Sequence, residues 1–300
     1  MDTVINMKFR AHDSFFIRKG WLSKGLKNVI ADPTVFVRKD INPMDTLGIG
    51  ANMVKAMRYW LQAVGLTEEP QSGKRRQTVT ELGKVIWDND KYMEEMGTLW
   101  LLHYYLAKNR SEATAWYYFF NSFKPTEFTR EDFLIHMKKH LLENDKDVAE
   151  SSIEGDYNCI LGTYLPRIKA NPNKVNPEEN IDCPLGELGL IDIVDRKKRL
   201  YKKSQPKKDT LPELILLAVI LDQAKGEQSV RISSIQNDEC NAGKVFNLDV
   251  IILTNLLYKL ELMQDKYIKV NRTAGLDVID IRTDMTFLDC VREYYRQINS

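Results

Sequence analysis

The sequence predicts a mainly α-helical fold with small β-hairpin wings. Near each end of the chain, helical patterns separated by a turn are followed by two short strand-like runs. Between the two ends the chain is strongly aromatic and keeps helical spacing. Helix, turn, helix and hairpin in this order are typical of winged helices. We therefore expect one winged-helix unit at each end and a helical domain between them.

The length predicts several domains, because 300 residues exceed the usual size of a single domain. We expect an N-terminal winged helix-turn-helix at residues 1–90 and a central helical, aromatic-rich domain at 91–180. A basic connector at 181–209 then leads to a C-terminal winged-helix-like packing domain at 210–300.

The first informative segment runs from Asn42 to Leu66 and reads NPMDTLGIGANMVKAMRYWLQAVGL. A helix at about 26–31 precedes it as a supporting helix. Gly48 and Gly50 suit a tight turn, because glycine reaches positive backbone angles without steric cost. The segment therefore predicts a helix-turn-helix.

The second helix of this motif has two different faces when it is wound at about 100° per residue. An apolar stripe contains Met53, Met57, Trp60, Leu61 and Val64. The opposite face contains Asn52, Lys55, Arg58, Tyr59 and Gln62. This division predicts a helix that packs on the domain and turns a hydrogen-bonding, basic face to the major groove. The alternative is an ordinary amphipathic helix with a solvated polar face.

A wing is predicted directly after this helix. Short strands at Leu66–Glu69 and Gln77–Thr80 enclose a basic tip formed by Lys74, Arg75 and Arg76. We expect the tip to lie on DNA phosphates. A helix at Glu81–Trp87 closes the unit.

The central part predicts helices at 92–108, 112–123 and 130–142, the last with a capping box formed by Thr129 and Asp132. Its aromatic residues are expected to form a core, and base stacking is the alternative. The acidic segment Glu143–Asp156 is expected to be exposed and away from DNA. Another helix is predicted from about 156 to 165.

The connector carries the most basic stretch of the chain, RKKRLYKKSQPKK, from Arg196 to Lys208. A short helix and a strand are expected between Pro184 and Tyr201. The basic stretch has two interpretations that stay open here. It is either a flexible linker that follows phosphates or a solvated loop at a domain boundary.

The C-terminal part predicts a helix at 210–224, a strand at 230–233, a short turn or helix at 235–238, a hairpin at 266–281 and a last helix at 284–298. The helix before the hairpin runs from Asn247 to Leu262, and we expect Asn247 to cap it. Because this helix is apolar nearly all round, with Lys259 as its one basic residue, we expect it to be buried. The unit is therefore interpreted as a packing module that also supports a homodimer.

Composition excludes several classes of protein. Lys plus Arg number 43 and Asp plus Glu number 42, which rules out a polycationic binder. The longest apolar run, Leu214–Leu221, is far shorter than the roughly 18 residues of a membrane span, so no membrane partner is expected. The N-terminus shows no basic region followed by an apolar one, so we expect no secretory signal, and four scattered cysteines predict a cytoplasmic protein.

Catalytic patterns are weak. The triplet Asp195-Arg196-Lys197, with Asp182 upstream, has the acidic-x-Lys layout of metal-dependent nucleases. His136 and His140 lie one helical turn apart but lack a third ligand. His12 predicts a structural hydrogen bond that fixes the N-terminal segment. We therefore predict no catalytic residue, metal site or cofactor.

Five segments resemble a bacterial family labelled a domain of unknown function. They are HDSFFIRKGWLSKG (His12–Gly25), LGIGANMVKAMRYWL (Leu47–Leu61), TLWLLHYYLA (Thr98–Ala107), CPLGELGLI (Cys183–Ile191) and TAGL (Thr273–Leu276). Members of this family are commonly encoded beside phosphoadenosine-phosphosulfate-reductase-like genes in DNA-modification and defence clusters. The resemblance implies a role near DNA phosphorothioation or restriction. Ala51 departs from the family pattern, which has a Lys there, and this puts a phosphate contact at the start of the helix in doubt.

The sequence therefore favours a non-enzymatic protein that binds double-stranded DNA as a regulator or specificity factor of such a system. Two alternatives stay open. One is a scaffold that binds partner proteins encoded in the same operon, and the other is a metal-dependent nuclease.

Overall fold

The computed structural model describes residues 6–70, 75–165, 183–263, 267–273 and 276–300. Helices make up most of the regular structure, and the strands form three small antiparallel sheets. This confirms the mainly α-helical fold with small hairpins. The winged-helix arrangement and the domain boundaries stay predictions.

The N-terminal elements follow the predicted order. They are α1 (Trp21–Ala31), α2 (Pro43–Leu47), α3 (Ala51–Ala63), β1 (Thr67–Glu68), β2 (Thr78–Val79) and α4 (Glu81–Asn89). Strands β1 and β2 pair antiparallel, and the backbone N–H of Gln77 donates to the carbonyl of Pro33, which joins the hairpin to the segment after α1.

Two glycines explain how these helices fit together. Gly48 ends α2 with a left-handed φ of 61°, whereas Gly50 has an ordinary extended backbone and precedes α3 as its cap residue. Only Gly48 therefore uses the conformational freedom predicted for both. Gly25 lets α1 approach α3 closely, because a Cβ there would lie 2.8 Å from Leu61 Cδ1.

The central elements are α5 (Met96–Lys108), α6 (Thr114–Asn121), β3 (Glu127–Phe128), α7 (Arg130–Glu143) and α8 (Glu150–Tyr164). The capping box of Thr129 and Asp132 is present at the start of α7. Most aromatic side chains here are buried, including Trp100, Trp116 and Phe119, which confirms that they form a core.

The connector is part of a sheet. A 3-10 turn at Pro184–Leu188 leads into β4 (Ile191–Asp195) and β5 (Leu200–Lys203), and the strand order is β3-β5-β4. Because β5 is the central strand, the prediction of a flexible linker is wrong for its residues. The turn between β4 and β5 carries Arg196–Arg199.

The C-terminal elements are α9 (Glu213–Ala224), β6 (Ser229–Arg231), α10 (Ile232–Asn237), α11 (Ala242–Val245), α12 (Val250–Leu262), β7 (Ile268–Thr273), β8 (Leu276–Ile281) and α13 (Phe287–Ile298). The strand order is β6-β8-β7, with β7 and β8 paired as the predicted hairpin.

Two expectations for α12 are wrong. Its cap is Asp249, whose carboxylate accepts from the N–H of Ile252 at 2.7 Å. Asn247 has a left-handed φ of 51° and instead donates its side-chain amide to the carbonyls of Leu190 and Ser204. The helix is also not buried all round, because it lies on the unit with one face only. The buried face carries Leu253, Leu256, Leu257 and Leu260, and the exposed face carries Val250, Ile251, Tyr258 and Leu262.

The predicted segments share a continuous hydrophobic core. Helix α13 packs on α9 and also on α4, which lies near the other end of the sequence. The hydroxyl of Tyr294 accepts from the N–H of Gly97, and the Tyr295 hydroxyl is hydrogen-bonded to Thr98. None of the helices in the described residues is long and apolar enough to cross a bilayer.

Candidate nucleic-acid interface

The exposed part of α3 is its N-terminal half. Asn52 and Lys55 are both exposed, as the helical winding predicts. Lys55 forms no salt bridge with any residue that the structure describes. Its ammonium group is therefore available to an anionic partner.

Arg58 and Gln62 lie farther along the same side, and both contact Glu69. The Arg58 guanidinium donates from Nε to Glu69 Oε1 at 2.6 Å and from Nη2 to Oε2 at 2.8 Å. Gln62 donates to the same carboxylate at 3.2 Å. Arginine forms the same bidentate geometry with a phosphate. Glu69 therefore occupies the position that an anionic ligand of Arg58 would take.

Tyr59 does not face solvent, so the prediction that it reaches base edges is wrong. Its side chain is 8% exposed, and its hydroxyl donates to the carbonyl of Glu112 at 3.0 Å. Burial raises the pKa of its phenol well above the usual value. The physical reason is that this flank of α3 is covered by the N-terminal segment around His12 and by the residues just before α6, so the Tyr59 side chain packs inside the fold.

A basic groove runs beside the exposed face of α3. It has a volume of about 320 Å³ and is lined by four cationic side chains, Lys8, Lys55, Arg58 and Arg75, and by two carboxylates, Glu69 and Glu112. The two carboxylates already pair with Arg58 and Lys8, at 2.6 Å in each case. Lys55 and Arg75 are then the cations of the groove without a carboxylate partner among the described residues.

The tip of the hairpin adds to this charge. Arg75 and Arg76 are exposed, and Arg75 has a left-handed φ of 39°. Lys74 lies outside the described residues. The structure thus brings Lys55 and Arg75 to one groove, and Asn52 is exposed about one helical turn before Lys55. Arg58 and Gln62 instead contact Glu69.

A buried pair fixes the layer beneath α3. His12 and Asp156 are both almost fully buried, and His12 Nε2 lies 2.7 Å from Asp156 Oδ1. The N–H of Ser14 donates to His12 Nδ1, so Nδ1 is the acceptor and Nε2 carries the proton that Asp156 accepts. Burial raises the pKa of Asp156. The His12 ring stacks on Trp60 of α3 with 5.9 Å between centroids.

This pair confirms the predicted structural hydrogen bond of His12 and corrects the expectation for Asp156, which is not exposed. The sequence analysis did not identify Asp156 as the partner of His12, although the pattern of α8 indicates a buried carboxylate. Asp156 lies on α8 on the same side as Ile153 and Ile160, and an acidic residue on an apolar helix face needs a buried partner.

The candidate catalytic side chains that the structure describes make contacts that stabilise the fold. The carboxylate of Asp195 accepts from the backbone N–H groups of Lys197 and Lys198, at 2.8 and 3.1 Å, and so stabilises the turn after β4. His136 and His140 lie against the rings of Phe123 and Tyr118. Asp182 lies outside the described residues.

Comparison with known proteins gives the family. Residues 9–295 match the family model described as "Protein of unknown function (DUF4007)". The chain belongs to this family. No curated protein sequence matches the chain.

Two solved structures are similar over nearly the whole chain. One is described as "Magnesium ion-bound SspB crystal structure", with a TM-score of 0.84, and the other as "SspB crystal structure", with a TM-score of 0.82. In both cases the identity is 26%, and the match covers 99% of this chain and 90% of the other. The fold of this chain is therefore similar to that of the SspB structures.

The magnesium ion of that SspB structure raises the question of a matching site here. Within the described ranges, no three His, Cys, Asp or Glu side chains come together in a way that could hold a cation.

Proposed function

We propose that this protein binds double-stranded DNA in a bacterial DNA phosphorothioation or restriction-like defence system, as a regulator or specificity factor. The likeness to SspB and the resemblance of five sequence segments to a family encoded in such clusters support the system. The basic groove beside α3 carries the proposal of DNA binding, because Lys55 and Arg75 face solvent there without a carboxylate partner among the described residues.

In this proposal the contacts divide by chemistry. Asn52 and Lys55, near the start of α3, reach base edges or the adjacent backbone, while Arg75 and Arg76 hold phosphates. Lys74 is assigned to the same basic tip from the sequence alone. Arg58 and Gln62 join the interface when Glu69 releases them.

The test is duplex binding measured by fluorescence anisotropy over a range of salt concentrations, with and without a phosphorothioate in the DNA. Replacing Arg75 and Arg76 by Ala should weaken binding and flatten the plot of log K against log salt by about 0.9 for each lost contact. Lys139→Ala is the matched control, since Lys139 is an exposed lysine on α7. If the double variant and the control bind alike, the hairpin is not part of the interface.

We infer a binding role rather than catalysis. The nuclease alternative depends on Asp195 and Lys197, and the carboxylate of Asp195 is already used by the turn. That alternative requires cleavage of DNA with a divalent metal that is lost in Lys197→Ala. Cleavage with this dependence would replace the proposal.

A second candidate is self-association through α12. Residues at spacings of four, three and four follow one another along its exposed face. They are Ile251, Asn255, Tyr258 and Leu262. When two copies of such a helix pair antiparallel about a two-fold axis, Ile251 lies opposite Leu262 and Asn255 lies opposite Tyr258. Each pair then occurs twice, as the two-fold symmetry of an isologous interface requires. Apolar residues meet at both ends and polar groups in the middle. Ile251 and Leu262 are 67% and 84% exposed in the single chain.

A further inference from the structure

A second polar cleft lies on the side of α10–α12 that faces the end of α6. Its volume is about 600 Å³, within the roughly 300–1,000 Å³ typical of small-molecule sites. One wall is formed by the chain after α6, from Asn121 to Thr126, and another by Lys203 and its neighbours after β5. The opposite wall contains Lys244 and Asp249.

Lys203 is the unusual group of this cleft. Its ammonium donates to the carbonyl oxygens of Phe119 and Phe123, at 2.6 and 2.5 Å, and lies 4.8 Å from the centroid of the Phe119 ring. No carboxylate among the described residues pairs with it. Burial, together with the charge of Lys244, lowers the pKa of Lys203 to about 7.

The two carboxylates of the cleft, Glu239 and Asp249, accept hydrogen bonds from neighbouring groups. Glu239 accepts from the hydroxyls of Tyr117 and Ser122, at 2.5 and 3.1 Å. Asp249 caps α12 and accepts from Gln205 at 2.7 Å.

Both carboxylates keep their negative charge, because their donors are neutral, but neither forms an ion pair with a lysine of the cleft. Lys124 and Lys244 also lack a carboxylate partner in the described parts of the chain. The cleft therefore holds three lysines and two carboxylates, and lysines that form no ion pair favour an anion.

We propose that this cleft binds a nucleoside phosphate. The phosphate lies among Lys124, Lys203 and Lys244. The remaining volume, lined by the polar side chains of Ser122, Gln205 and Asn237, takes the sugar and base. A small molecule fits better than duplex DNA, because Lys203 is partly buried in the wall, where a phosphate of a rigid duplex does not reach. This site is separate from the groove beside α3.

The proposal is tested by isothermal titration calorimetry of the full chain with AMP, ADP, ATP and GMP, and with inorganic phosphate alone. At least one nucleotide should bind, and Lys244→Ala should weaken it about tenfold or more, the loss expected for one charge-assisted hydrogen bond. Lys124→Ala should weaken it less, because Lys124 is exposed. Lys139→Ala, on α7, should bind as the parent does.

A second readout is independent of affinity. The bound nucleotide should protect Lys203 from amine-reactive labelling near pH 8, as mapped by peptide mass spectrometry, while labelling of Lys139 stays unchanged. No nucleotide binding, or binding unaffected by Lys244→Ala, would overturn the proposal. Phosphate that binds as tightly as every nucleotide would overturn the assignment of a nucleoside. Lys203 protected only by duplex DNA would also overturn it, and loss of duplex binding in Arg75→Ala would leave this site unaffected.

Discussion

Replacing Glu69 by Gln should strengthen DNA binding, because in the proposed function Glu69 competes with DNA for Arg58. The two hydrogen bonds of this pair measure 2.6 and 2.8 Å, and the side chains are 24% and 20% exposed. Gln keeps the shape of the side chain but removes its negative charge, so the charge of the groove rises by about one unit.

The expected size follows from counterion release. One additional phosphate contact steepens the salt dependence of log K by about 0.9, which corresponds to about eightfold in affinity near 0.1 M salt. Release of the partly exposed ion pair costs about 1 kcal/mol or less of folding stability. A small decrease in Tm should therefore accompany tighter binding.

The assay is fluorescence anisotropy with a labelled duplex at several salt concentrations. Glu143→Gln is the matched control, since Glu143 is an exposed carboxylate that lies near a lysine on α7. The control should leave both affinity and slope unchanged. The reasoning is refuted if Glu69→Gln binds DNA with the affinity and slope of the parent, because Arg58 would then play no part in binding.

Three further outcomes are expected. Tyr59→Phe should lower the free energy of unfolding by about 1 kcal/mol in urea denaturation, because the carbonyl of Glu112 loses its donor, and should leave DNA affinity unchanged; a loss of affinity in a stable variant would contradict the buried role. Replacing Ile251 and Leu262 by Ser should shift sedimentation velocity from dimer to monomer, and a parent chain that is monomeric at high concentration would exclude the interface. Lys203 has a folded pKa of about 7, lowered from 10.5, so its burial penalty is full below pH 7 and is relieved as the pH rises toward 10. The stability of the parent relative to Lys203→Met should therefore increase from pH 7 to 10 in thermal unfolding, and a constant difference would contradict the lowered pKa.

Periodicity was sufficient to locate α3 but not to describe its surface. The winding placed Trp60 and Leu61 inside and Lys55 outside, and the structure agrees. The contacts of Arg58 and Tyr59 depend on Glu69 and Glu112, which come from later parts of the chain. No local pattern contains this information, because such contacts exist only after the hairpin and α6 have packed.

The C-terminal unit shows a different limit of prediction from the sequence. Its order of elements and its hairpin could be predicted from turn residues and alternation. The composition of α12 indicated apolar faces all round, but it could not show which face the rest of the chain covers. Leu257 is fully buried and Leu262 is mostly exposed, although both are leucines of the same helix.

The prediction of a flexible linker for the connector was wrong for a third reason. Its many lysines and arginines suggested a solvated stretch, but Lys203 turns its ammonium to the carbonyls at the end of α6. Backbone carbonyls at a helix end accept hydrogen bonds from a lysine as well as from water. Charge density along the sequence therefore did not distinguish a strand from a linker here.

The contact between His12 and Asp156 joins residues that are 144 positions apart. Closing a loop of this length costs conformational entropy, which increases with the logarithm of the loop length. The underside of α3 is completed by this contact and by the T-shaped packing of Trp60 on Trp116. The layer beneath the groove beside α3 thus includes a residue of α8, so the native shape of this groove depends on a segment that lies far from α3 in the sequence.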